Sequence, residues 1–130
     1  MSRIVIPDYQ KKQRIINIDR TPAKDLVAYG DRCLEADRIF DALDFYQAAK
    51  HTPGLEKIRE SAESSGDVMM FQQVMKALGV TITEDAWAGI GRRAVTLGKY
   101  AFGVYAFEKS GRDSLRDEAR EIIKRDGQVS

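Results

Sequence analysis

Only one cysteine and one histidine occur among the chain's 130 residues. Cys33 has no partner for an internal disulfide, and neither residue type can build a multi-cysteine or multi-histidine metal centre. His51 alone leaves any nucleophile–base arrangement short of its commonest base. Long apolar runs are missing too, so nothing has the length a membrane-spanning helix needs. The opening residues carry only Ile4, Val5 and Ile6 as an apolar stretch before Pro7 and Asp8, too short for a secretory signal. Charge of one sign is lacking: 21 Lys and Arg face 20 Asp and Glu, a net of +1. No global field therefore draws the chain to nucleic acid or an anionic membrane. The expected compartment is the cytoplasm, and no cofactor is expected.

What is present is an ordinary globular balance, with 43% hydrophobic and 32% charged residues, enough to bury a core. Hydroxyl residues recur every 31 positions at Thr21, Thr52, Thr83 and Ser114. Pro22 and Pro53 follow the first two, and Glu84 and Asp85 the third. A side-chain oxygen ahead of proline or carboxylates marks a helix start: the oxygen accepts an unpaired N–H, and the carboxylates suit the positive end of the dipole. Midway through each interval comes a break, at Ala36-Asp37-Arg38, Ser64-Ser65-Gly66-Asp67 and Leu97-Gly98-Lys99. Beyond each break the apolar residues return at helical spacing, as in Val68, Phe71, Val74, Met75 and Leu78. The pattern predicts three helix-turn-helix units and a last helix from Ser114 to Asp126, stopped by Gly127. That last helix carries Leu115, Ala119, Ile122 and Ile123 on one stripe and charges elsewhere, as the cap of a stack requires.

Residues 1–20 read as a separate arm, partly extended or disordered, with a β-like run at Ile4-Val5-Ile6 and apolar Ile15, Ile16 and Ile18. Its Arg3, Lys11, Lys12, Arg14 and Arg20 against Asp8 and Asp19 give +3, which suits docking on an acidic helical surface. Catalytic constellations are nearly absent. His51 sits at a helix end, where capping of carbonyls is the plainer role, and Cys33 lies on an apolar helix side as packing. Gly89-Ile90-Gly91 falls inside a helical pattern and fails the context of a phosphate loop. Met75 reads as core beside Val74 and Phe71. No catalytic and no metal residue is assigned, and the chain is expected not to be an enzyme.

These residues resemble the tetratricopeptide repeat family. The third unit carries the likeness best, with Trp87, Ile90-Gly91, the turn Gly98-Lys99-Tyr100, then Gly103, Phe107 and Ser110. The first follows with Leu26, Tyr29-Gly30, Ala42, Tyr46 and Ala49. The second keeps Leu55, Ile58, Ala62 and Gly66-Asp67 but has Arg59 and Phe71 where small residues are usual. The likeness covers residues 22–113, at an interval shorter than the roughly 34 residues of the family. It implies an all-α fold over residues 21–127, an α-α superhelix of about three antiparallel helix pairs plus a C-terminal capping helix. It also implies a binding groove on the first helix of each pair. The groove-facing partner-binding residues would be Lys24, Asp31, Glu35, Glu56, Glu60, Glu63, Asp85 and Arg92, together with Val27 and Thr96. Acids outnumber bases there, so a carboxylate clamp does not fit and a basic or amphipathic peptide or protein does.

The function so implied is a protein–protein interaction module, an adaptor or scaffold. The alternative is a self-associating structural protein, a homodimer paired through Phe102, Val104 or Tyr105. A nucleic-acid binder using Arg92, Arg93, Lys99, Arg116, Arg120, Lys124 and Arg125 is disfavoured by the interspersed acids.

Overall fold

A computed structural model describes residues 4–129. The chain divides into two compact units, one up to Ile58 and one from Arg59. Among the described residues the structure is all-α, with eight helices and no strand. They are α1 (Tyr9–Asn17), α2 (Ala23–Glu35), α3 (Ile39–Ala49), α4 (Thr52–Ser65), α5 (Val68–Leu78), α6 (Glu84–Thr96), α7 (Tyr100–Ser110) and α8 (Asp113–Val129). No helix among the described residues is long and apolar enough to cross a membrane.

Six turns close in one way. After α2, α4 and α6 the N–H groups of Arg38, Asp67 and Lys99 donate back to the carbonyls of Cys33, Ala62 and Ala94 at 2.8, 3.0 and 2.8 Å. After α3, α5 and α7 those of His51, Val80 and Arg112 donate to Tyr46, Met75 and Phe107 at 2.9, 3.0 and 3.1 Å. Each turn passes through one left-handed residue: Asp37, Lys50, Gly66, Gly79, Gly98 or Gly111. This closure satisfies carbonyls that a helix end would otherwise leave open. It also marks matching positions in the three helix pairs, Cys33–Ala62–Ala94 and Tyr46–Met75–Phe107.

The even beat of the hydroxyls is only partly the beat of these turns. Thr83 caps α6 as expected, accepting the Ala86 N–H at 3.1 Å. Thr21 instead donates to the Ile15 carbonyl at 2.9 Å and ties the α1–α2 connection, while Pro22 holds the cap position of α2 with no side-chain bond. Thr52 and Ser114 lie within the first turns of α4 and α8. Nor does Gly127 stop α8, which runs on to Val129. A helix already propagating tolerates one glycine near its end.

The arm holds the larger departure. Residues 4–8 have no regular structure and form no strand, but α1 occupies residues expected to be extended or disordered. Asp8 caps it by accepting the Lys11 N–H at 2.8 Å. Lys12 and Ile15 then fall on one helical face, and both are buried. Lys12 reaches Asp41 and Asp44 of α3 at 2.9 and 2.8 Å, so the arm docks on the second helix of the first pair.

In the N-terminal unit, α2 packs on α3 around Leu26, Cys33, Leu43 and Phe45, with Tyr29 stacked on Phe45 at 5.1 Å. In the C-terminal unit, α6 packs on α7, α7 on α8, and α5 on both α6 and α7. Tyr105 fixes α7 there: its hydroxyl donates to Gln72 at 2.9 Å and its ring meets Trp87 edge-on at 5.9 Å. α8 buries Ala119, while its Arg116 pairs with Asp113 and Asp117 and its Arg120 with Glu108 of α7.

Candidate functional site

The chemistry of each unit starts from where an aromatic ring meets a glycine. In the N-terminal unit Tyr46 descends from α3 onto Gly30 of α2 and Gly54 of α4. A Cβ built on Gly30 would stand 2.5 Å from the ring, and one on Gly54 2.7 Å. Glycine is thus a spatial requirement at both places. The ring is buried, and its hydroxyl emerges to donate to the Asp31 carboxylate at 2.6 Å. Burial first, and then the Asp31 carboxylate, push the Tyr46 hydroxyl well above its ordinary range, so it stays a neutral donor. Around that bond lies a depression of about 380 Å³ lined by Asp31, Leu34, Glu35, Tyr46 and Lys57. Two carboxylates and one ammonium give it a net negative lining.

The C-terminal unit holds a larger cavity, about 530 Å³, lined by Arg59 and Glu63 of α4, Phe71 and Met75 of α5, and Ala86, Gly89, Ile90 and Arg93 of α6. Phe71, Met75 and Ile90 are buried, while Glu63, Gly89 and Arg93 are exposed. Arg59 pairs with Glu63 at 3.4 Å, and the Arg93 Nε–H donates to the Ser64 carbonyl at 2.9 Å.

The residues singled out as a groove are placed unit by unit. Asp31 and Glu35 come together around Tyr46. Glu63 lines the cavity with Arg59 and Arg93. Arg92 faces a separate depression of about 290 Å³ with Leu115, Glu118 and Ile122 of α8. Asp85 is engaged by Arg112 at 2.8 Å. Lys24 and Glu60 are exposed and Glu56 is half-buried, and none of the three lines these depressions. Of the self-association residues, Tyr105 is spent on Gln72 and Trp87, while Phe102 lines an apolar groove of about 500 Å³ with Tyr100, Ala101 and Ile123. The sequence pattern did not assign Lys57, Arg59 or Gly89 to a binding site, and offered Arg93 only to the nucleic-acid alternative. The signal for Arg59 was available, since it breaks the small-residue pattern. Gly89 gave none beyond being a glycine inside a helix.

Cys33 is fully buried, and burial chiefly raises its thiol above the usual value, aided by Asp41. The His51 ring packs on Tyr46 at 5.4 Å, and its backbone carbonyl accepts the first bond of α4 from Leu55 at 3.2 Å. Its role in the turn is packing and backbone pairing. Gly89-Ile90-Gly91 lies wholly within α6. Among the described residues no three His, Cys, Asp or Glu side chains gather as a metal site would require.

Comparison with protein-family models, with curated proteins and with solved structures finds no match to this chain.

Proposed function

We propose that the chain is a cytoplasmic protein-interaction module, an adaptor or scaffold of the tetratricopeptide-like kind that carries out no reaction of its own. The observation that carries this reading is the acid-lined depression around Tyr46, where Asp31 and Glu35 stand at a rigid, buried ring. A pre-formed, charged concavity on packed helices is how such proteins offer a surface to peptides. Its net negative lining favours a basic or amphipathic peptide by charge complementarity. The likeness of Tyr29-Gly30, Ala42 and Tyr46 to the family pattern points the same way, and fold alone would not.

The test is fluorescence anisotropy with a labelled peptide bearing lysines on one helical face and leucines on the other. The full chain binds it saturably, and the double variant Asp31→Lys, Glu35→Lys weakens binding by at least about tenfold. Glu121→Lys on α8 leaves it unchanged. Equal affinity across all three proteins overturns the reading.

A second reading, self-association, draws on the apolar groove that Tyr100, Phe102 and Ile123 line. A concentration series by light scattering decides it: a partner-free dimer dispersed by Phe102→Asp supports it, and a monomer at all concentrations removes it.

A further inference from the structure

The helix pairs differ at one place in a way that leaves room. Tyr46 rests on Gly30 and Phe107 rests on Gly91. Met75 holds the corresponding turn position in the second pair, since its carbonyl accepts the closing N–H of Val80 as those of Tyr46 and Phe107 accept theirs. Arg59 likewise precedes Ala62 as Gly30 precedes Cys33 and Gly91 precedes Ala94. At these two matched positions the second pair has neither the aromatic ring nor the glycine beneath it, and the cavity of about 530 Å³ opens there, with Phe71 on its lining. That volume lies within the range of pockets that hold ligands.

Gly89 makes the opening accessible. A Cβ built on it meets nothing within 4 Å, so packing does not call for glycine at this exposed position inside α6. Glycine is a poor helix residue, and its effect here is to leave the mouth uncovered. Arg59 and Arg93 on the lining outnumber the one carboxylate, Glu63.

We infer that this cavity binds an aromatic side chain of a partner peptide, flanked by carboxylates. The ring enters over Phe71 and Met75, in the role Tyr46 and Phe107 fill in their own pairs, and the carboxylates meet the two guanidinium groups. The inference rests on the interaction-module reading but concerns a pocket of opposite charge preference to the depression around Asp31.

The probes are two fluorescein-labelled peptides, one phenylalanine flanked by glutamates and the same phenylalanine flanked by lysines, titrated into the full chain. The glutamate-flanked peptide binds saturably, and the lysine-flanked one at least about tenfold more weakly. Gly89→Leu, which covers the mouth, weakens the glutamate-flanked peptide by at least about tenfold, while Gly89→Ala stays within about twofold and shows that the helix tolerates a side chain there. Gly89→Leu leaves binding of the lysine-and-leucine peptide unchanged, so this pocket and the Asp31 depression fail or stand separately. Absence of saturable binding by the glutamate-flanked peptide, preference for the lysine-flanked one, or equal binding to Gly89→Leu and the unaltered chain each overturns the inference.

Discussion

At the scale of single residues, the contact between Gly30 and Tyr46 shows how one missing methyl group sets a position. A Cβ there would sit 2.5 Å from a ring that Gly54 confines from the other side. The ring cannot swing away without losing its 2.6 Å bond to Asp31. Gly30→Ala is expected to destabilise the chain by about 1–3 kcal/mol through overpacking, read as a lowered urea midpoint. Cys33 gives the opposite kind of prediction. A fully buried thiol with a raised pKa is a poor nucleophile, so labelling by a disulfide reagent proceeds only as fast as the protein opens. Immediate stoichiometric labelling of native protein would contradict that placement.

At the scale of elements, α1 is held by charge as well as by burial. Lys12 is only 6% exposed, and burial works against its charge, yet its bonds to Asp44 and Asp41 hold its pKa above the ordinary 10.5. Burial likewise opposes the Asp41 charge, but Lys12 and then Arg38 outweigh it and keep the carboxyl below its ordinary 3.8. The signs follow. Asp41 contributes stability that is complete above pH 3.8 and is lost as pH falls through its lower folded value. Lys12 contributes stability that is complete below pH 10.5 and is lost as pH rises through its higher folded value. Docking of α1 is therefore expected to be level between these limits and to weaken beyond both, visible as loss of amide protection in residues 9–17. Lys12→Met is expected to cost about 2 kcal/mol and to abolish the acid dependence carried by this ion pair. The turns offer a gain instead: Lys50 is left-handed at φ 53, and Lys50→Gly is expected to stabilise by about 0.5–1 kcal/mol, seen as a raised thermal midpoint.

At the scale of the molecule, what the sequence disclosed follows its physics. Helix pairs and their mid-unit breaks were legible because glycine and periodic apolar residues act locally, as at Gly66 and Gly98. The Gly–aromatic partners Gly30 with Tyr46 and Gly91 with Phe107 were legible as a pattern of sizes. The helix in the arm was not, because α1 depends on Asp41 and Asp44, distant in sequence, to accept Lys12. The candidate site was half legible. Asp31 and Glu35 came from the likeness to the family, whereas Lys57 and Arg93 enter through packing that spacing does not encode. Within the C-terminal unit the chosen residues meet different neighbours: Asp85 is bound to Arg112, and Arg92 lines a depression with Leu115, Glu118 and Ile122 of α8.

The most direct measurement is an isotope-labelled NMR titration of the full chain with the lysine-and-leucine peptide. Amide shifts are expected to gather around Asp31, Leu34, Glu35 and Lys57, with those of Leu115 to Ile122 unmoved. Shifts scattered over the whole chain, or gathered on Phe102 and Ile123 while the Asp31 region stays still, would contradict the proposed site.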